Sequence, residues 1–208
     1  MHNLSDKKGS FLCRLSLLVV LLVSVLALTI LVETGKTGAF DAFFIGMVQH
    51  NKSLALQVVM QGITALGTAY GVIVLLIMTG AWLWRRRAYP ELKEYLGIAL
   101  AGFITEISVK VLVHRARPSS WLGITAAGYS YPSGHAIMTF VMAVGLIIIL
   151  RRLGISRWWY TALLLCTAAA VGISRIYLGV HWPTDVLGSW LMGSVSITAL
   201  LPLRRIPH

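Results

Sequence analysis

LSLLVVLLVSVLALTILV, Leu15 to Val32, runs eighteen residues without a charge. As a helix, an apolar run of about that length crosses the roughly 30 Å hydrocarbon core of a bilayer. The basic residues before it (Lys7, Lys8 and Arg14) suggest a secretory leader. The apolar core of a leader is usually about 7–15 residues, however, so the segment reads as a retained first helix. Five further apolar segments follow, Val58–Trp84, Tyr95–Val113, Ala136–Leu150, Trp158–Ile173 and Val186–Leu203. The 208 residues are 57% hydrophobic and only 12% charged, and mean hydropathy is +0.79. A soluble domain carries about 25% charged residues, and one core cannot absorb this apolar excess. The expected fold is all-α, a six-transmembrane-helix bundle forming one integral-membrane domain over residues 1–208.

The net charge of +11 does not indicate a nucleic-acid partner, because no run of five basic residues occurs and the charges sit at the edges of apolar stretches. That placement is a topology signal. Lys7, Lys8, Arg14, Arg85, Arg86, Arg87, Lys93, Arg151, Arg152, Arg157, Arg204 and Arg205 fall on one side, while Lys36, Lys52, Lys110, Arg115, Arg117 and Arg175 fall on the other. The richer side is expected to be the inner one, with both termini cytoplasmic and the loops after the third and fifth helices facing outward. Gly38–Ser53, the longest outer connection, reads either as an interfacial helix or as an ordinary structured loop. Gly67 and Gly71 form a small-xxx-small pair suited to close helix packing. Cys13 and Cys166 lie within apolar runs and suggest no disulfide framework.

Three polar clusters fall at the expected outer ends of these helices. In KVLVHRARP, Lys110 to Pro118, Arg117 precedes a proline and is pushed out of helical geometry. Lys110 then projects from the last helical turns and Arg117 from the loop, a pair able to clamp a multivalent anion. Taken alone, Lys110 also fits a snorkelling side chain. Glu106 lies one turn before Lys110, so the two are expected to pair. In YPSGHA, Tyr131 to Ala136, Ser133 is a good N-cap and Gly134 permits close backbone approach. The free N–H groups of a helix start attract anions, and His135 sits where it could donate a proton to one. In SRIYLGVHWPTD, Ser174 to Asp185, Pro183 suits the first turn of a helix, which puts His181 on its approach and Asp185 in its first turn. A carboxylate on one imidazole nitrogen leaves the other free as a nucleophile or base. Arg175 adds a third cation.

An anion site with two imidazoles suits phosphoryl transfer. One histidine attacks phosphorus in line, the other protonates the departing oxygen, and cations offset the charge on the equatorial oxygens. Other phosphate chemistries fit poorly. The GxxxxGK[ST] loop of a nucleotide hydrolase is absent. Asp185 and Glu106 are too few carboxylates for a two-metal site, and neither cysteine precedes an arginine at the spacing of a thiolate phosphate loop.

These residues resemble the three signature motifs of the type 2 phosphatidic acid phosphatases, integral-membrane relatives of the vanadium haloperoxidases. The family pattern is KxxxxxxRP, PSGH and SRxxxxxHxxxD. Here Lys110-VLVHRA-Arg117-Pro118, Pro132-Ser133-Gly134-His135 and Ser174-Arg175-IYLGV-His181-WPT-Asp185 fill every fixed position in order. The resemblance implies that His181 is the nucleophile of a phosphohistidine intermediate, Asp185 its orienting carboxylate and His135 the general acid. By the same resemblance, Lys110, Arg117, Ser133, Gly134 and Arg175 hold the phosphate oxygens, and neither metal nor cofactor is needed. The implied substrates are bilayer lipid phosphates or diphosphates such as phosphatidic acid, phosphatidylglycerophosphate and undecaprenyl diphosphate. The expected location is a bacterial inner membrane, with the site on the outer face. The same site would serve a lipid phosphotransferase, and a basic pocket without chemistry would serve an anion or lipid transporter, which needs paired broken helices at the midplane. His114 and Arg115 are candidates to reach the second phosphate of a diphosphate. Trp121, Tyr129 and Tyr131 in the Ser119–Tyr131 loop are candidates to contact the headgroup.

Overall fold

The computed structural model describes residues 2–50, 52–119, 122, 124 and 126–200. It is all-α among them: α1 His2–Glu33, α2 Gly38–His50, α3 Leu54–Thr64, a 3-10 turn at Ala65–Gly67, α4 Ala69–Arg85, α5 Tyr89–Leu112, α6 Gly134–Arg152, α7 Trp158–Tyr177 and α8 Pro183–Leu200. Local chemistry sets several of these starts. The Leu56 N–H donates to Ser53 Oγ at 3.1 Å, and the Gly71 N–H to Thr68 Oγ1 at 3.2 Å. Each bond satisfies one of the orphan donors of a first turn. Pro90 lies in the first turn of α5 and Pro183 opens α8, where a missing N–H costs nothing.

The six-span expectation is corrected. Among the described residues four helices are long and apolar enough to cross a membrane, Phe11–Glu33, Tyr89–Leu112, Gly134–Arg152 and Trp158–Tyr177. A fifth span forms only if Leu54–Gly67 and Ala69–Arg85 count as one, and they meet at 54°. The structure thus supports an all-α fold with four or five spans, and this packing sets no orientation for the termini. Two physical reasons account for the difference. The Val58–Trp84 segment is continuous in hydropathy but broken in backbone, since Thr68 caps a new helix. Gly67 and Gly71 therefore share no helix face. A Cβ on Gly71 would meet the carbonyl oxygens of Ala65 and Leu66, and one on Gly67 would lie 2.8 Å from the His135 Cβ and 2.9 Å from Val171 Cγ1. The last apolar segment, as far as Leu200, does form a helix, α8, but polar residues on its buried face dilute its apolar character. Asp185 and Ser189 are fully buried and Ser196 nearly so, with Ser194 and Ser196 bonded to their own helix's carbonyls at 2.8 and 3.1 Å. Residues 201–203, Arg204, Arg205 and Trp121 lie outside the described residues.

The glycine contact yields a first prediction. Gly67→Ala forces a methyl into the His135 and Val171 contacts. Overpacking of this kind costs about 1–3 kcal/mol, so thermal unfolding in detergent is expected at lower temperature than wild type.

Helix α6 is the axis of the bundle. It packs on α5, α7 and α8, while α1 lies against α8 and α3 against α7. In α6, 56% of the apolar window is buried, against 6% in α1, so α1 gives most of its surface to lipid. Arg14 of α1 donates to the carbonyls of Thr198 and Ala199 at 2.7 and 2.8 Å, completing the last turn of α8. At the same end Arg152 pairs with Glu94. The C-terminal ends of α5 and α7 and the N-terminal ends of α6 and α8 meet at the other end.

Candidate active site

The three clusters of the sequence converge at that second end. After α7 the chain turns at Gly179, whose φ of 72° lies in the left-handed region. The turn is closed by Gly179 N–H to Ile176 O at 3.0 Å and Val180 N–H to Arg175 O at 3.2 Å, a helix-ending motif that glycine adopts without strain. It delivers His181 into the interior, 2% exposed. The imidazole Nδ1 lies 2.8 Å from the Ser130 carbonyl and 3.3 Å from Asp185 Oδ2. A carbonyl oxygen only accepts, so Nδ1 carries the proton and Nε2 keeps its lone pair. The expected His181–Asp185 contact forms, but the closer partner, Ser130, went unseen in the sequence. Ser130 is itself pinned by its N–H to Arg115 O at 2.9 Å and its Oγ to Ala116 O at 3.0 Å.

Burial lowers the His181 pKa from its ordinary value, with Asp185 opposing and the charges of Arg117 and Arg175 reinforcing the shift. Burial therefore favours the neutral imidazole, the form the expected nucleophile needs. The acid limb of kcat/KM is expected below the ordinary imidazole value of about 6.5, which a pH–rate profile would read. Below that value the unfolded chain takes up a proton that the native site resists. Stability is thus present above pH ~6.5 and falls as pH drops further.

Arg117 brings the first cation to Nε2. Its Nη1 lies 3.1 Å from His181 Nε2 and donates to Val180 O at 2.8 Å, while Nε and Nη2 donate to Gly128 O and Ala127 O at 3.0 and 2.9 Å. Three carbonyls therefore fix its plane. Arg175 on α7 is 9% exposed. Its Nη1 donates to Thr64 Oγ1 at 2.9 Å, while its Nε is buried without a partner among the described residues. Ser133 stands at the N-cap of α6 but makes no side-chain cap bond, and its Oγ is likewise buried and unpartnered. Its N–H donates to Ser189 Oγ at 2.8 Å, and that hydroxyl lies 2.7 Å from Asp185 O, which stitches the starts of α6 and α8 together. Buried polar atoms left unpaired cost about 1–3 kcal/mol each, and Ser133 Oγ and Arg175 Nε are two such atoms, available to the oxygens of an anion. Ser174 is absorbed by its own helix, donating to Val171 O at 2.6 Å.

Lys110 pairs with Glu106 at 2.8 Å, as their spacing predicts. The Glu106 carboxylate lies directly over Gly134, where any Cβ would strike it. Lys110, Arg117, Arg175 and His181 all lie close enough to His135 for their charges to act on it. His135, Gly134 and Glu106 form the polar end of an apolar groove of about 650 Å³, walled by residues of α4 and α5 such as Val72, Leu76, Ala99 and Phe103.

Other sequence candidates lie elsewhere. Arg115 does not point to a second-phosphate position, since its guanidinium pairs with Asp185 at 2.5 Å and with Asp41 of α2 at 2.6 Å. His114 stacks edge-on against Tyr129 at 4.5 Å. Tyr131 is fully buried, with its hydroxyl 3.1 Å from Thr29 Oγ1 of α1, so it is not a headgroup contact. Asp41 and Thr64 were missed. Asp41 is the lone acid of the Gly38–Ser53 stretch, a signal the sequence did offer.

Residues 92–205 match the PAP2 superfamily. The chain belongs to that family. An undecaprenyl-diphosphatase of Sulfolobus acidocaldarius is 32% identical over 123 residues, which cover 53% of this chain and 56% of that protein; the match thus spans little more than half of that relative. Phosphatidylglycerophosphatase B of Bacillus subtilis is 32% identical over 143 residues, covering 66% of this chain and 70% of that protein. The crystal structure of a transmembrane PAP2-type phosphatidylglycerolphosphate phosphatase from Bacillus subtilis superposes with a TM-score of 0.77 at 27% identity. That superposition covers 88% of this chain and 93% of the other. This PAP2 chain is accordingly a multi-pass membrane protein.

Proposed function

We infer that the protein removes the terminal phosphate from a bilayer lipid phosphate or diphosphate through a phosphohistidine intermediate. The observation that carries this reading is the apolar groove of about 650 Å³ whose single polar end is Glu106, Gly134 and His135. A lipid tail lies in such a groove, and its phosphate then rests among His181, Arg117, Arg175 and Ser133. In the proposed reaction His181 Nε2 attacks phosphorus while the bond to the lipid oxygen breaks, and His135 protonates that oxygen. His135 then takes a proton from water, which attacks the phosphohistidine and releases inorganic phosphate. Lys110, Arg117, Arg175, Ser133 and the Gly134 N–H hold the equatorial oxygens. The charge is balanced by side chains and the reaction uses no metal.

The proposed substrates are phosphatidylglycerophosphate and undecaprenyl diphosphate, in the direction of the relatives' names, together with phosphatidic acid. The proposed location is the outer face of a bacterial inner membrane. Arg85, Arg86, Arg87, Lys93, Arg151, Arg152 and Arg157 gather at the end of the bundle away from the site, which supports that assignment. A transporter reading draws no support, since one bent helix pair occurs among the described residues where two are needed. Phosphate release from these three lipids, by detergent-purified protein in EDTA, tests the proposal. Release from at least one sustains it, and none from folded protein overturns it.

A further inference from the structure

Helix α2 carries none of the three motifs, yet it reaches the His181–Asp185 pair. Asp41 in its first turn is 1% exposed, and a carboxylate there is favoured by the helix dipole. Its Oδ2 accepts from Arg115 Nη2 at 2.6 Å and its Oδ1 from the Thr184 N–H at 3.0 Å. The Thr184 hydroxyl donates to Asp41, 2.8 Å from Oδ2, and accepts from Arg115 Nη1 at 2.8 Å. The same Nη1 meets Asp185 Oδ1 at 2.5 Å. The other oxygen of Asp185 accepts from the Trp182 N–H at 2.8 Å and faces His181 Nδ1 at 3.3 Å. One planar guanidinium thus holds a different carboxylate at each end, a geometry that a lysine cannot reproduce.

Two carboxylates share one cation, so a net charge of −1 stands behind the imidazole. We propose that Asp41 and Arg115 are positioning residues for phosphoryl transfer, with Arg115, anchored by Asp41, fixing the orientation and effective charge of Asp185 and through it His181. The inference rests on the phosphatase reading. Arg117 from the α5–α6 loop, Arg175 from α7 and His135 from α6 also face His181, and the variants below leave all three in place.

The test uses full-length Asp41→Asn, Arg115→Gln and the double variant, with two readouts. The first is kcat and KM on whichever lipid phosphate the wild type hydrolyses. The second is the ¹⁵N-imidazole titration of His181 by NMR, assigned with His181→Gln. In each single variant kcat is expected to fall about 10–100-fold, the usual scale for lost outer-shell partners. KM should hold, since the phosphate-binding groups are untouched, and the double variant should be no slower than Arg115→Gln. Arg115→Lys should not rescue. The titration separates positioning from a mere strut. Asp41→Asn leaves Arg115 wholly to Asp185 and moves the His181 midpoint down, Arg115→Gln leaves two carboxylates and moves it up, and the double variant returns it towards wild type. Shifts of one sign, or none, with losses confined to folded yield and melting temperature, overturn the proposal. Should Arg115→Gln fail to fold, the near-isosteric Asp41→Asn alone decides it by its downward shift. A wild type that hydrolyses no lipid phosphate overturns the phosphatase reading, while the titration still judges the linkage.

Discussion

His181→Gln is expected to reduce phosphate release on the order of 10⁴–10⁶-fold, the scale seen when a covalent nucleophile is removed from an otherwise intact site. The geometry leaves no substitute. His181 presents its Nε2 lone pair because the Ser130 carbonyl, 2.8 Å from Nδ1, holds the proton on the opposite side of the ring. Arg117 Nη1, 3.1 Å from Nε2, is a donor and stabilises charge instead of attacking. Ser133 Oγ has no hydrogen-bond partner among the described residues, so no base stands ready to activate it. The glutamine amide still offers an N–H to Ser130, so the fold should survive, and melting temperature in detergent provides the control. Rapid denaturation in alkali during turnover of ³²P-labelled lipid should trap labelled protein from wild type and none from the variant. Retained release or labelling in the variant would remove His181 from the nucleophile's role.

What the sequence revealed and what it concealed divide along chain distance. Pairs one turn apart were legible because helix geometry dictates them. Glu106–Lys110 forms at 2.8 Å, and Asp185 falls in the first turn of α8 opened by Pro183, with His181 beside it. Motif spacing identified the cations but not what each one holds. Arg115 and Arg117 are two residues apart in an irregular segment, and only the packing of α2 turns Arg115 towards Asp185 and Asp41. Thr64 meets Arg175 across 111 residues and Asp41 meets Thr184 across 143, distances at which no local pattern speaks. The span count failed for a related reason. Hydropathy measures composition, so it ran through the break before Thr68 and could not tell that the serines of α8 face protein and not lipid. Gly67 beside a capping threonine was the visible hint of that break.

His135→Gln is expected to slow release of an alkoxide leaving group by about 10²–10⁴-fold, the usual contribution of a positioned general acid. It should slow the first, stoichiometric burst of nitrophenolate from p-nitrophenyl phosphate far less. His135 follows Gly134, the first residue of α6, and borders the groove that would hold the lipid tail. In the proposed reaction it stands where the bond to the lipid oxygen breaks, on the tail side of phosphorus, with His181 on the other. Lys110, Arg117 and Arg175 bring positive charge to this region, which a bound phosphate dianion would offset, and the proposed reaction requires His135 to carry the proton only in the substrate complex. A lipid alkoxide is a poor leaving group and needs that proton, but nitrophenolate departs without it. The same residue then serves as base towards water, so the variant given the activated substrate should complete the first half-reaction and stall in the second. Phosphohistidine should accumulate in His135→Gln treated with p-nitrophenyl phosphate and stay scarce in wild type. Equal losses on both substrates, with no accumulation, would place His135 in phosphate binding instead of proton transfer.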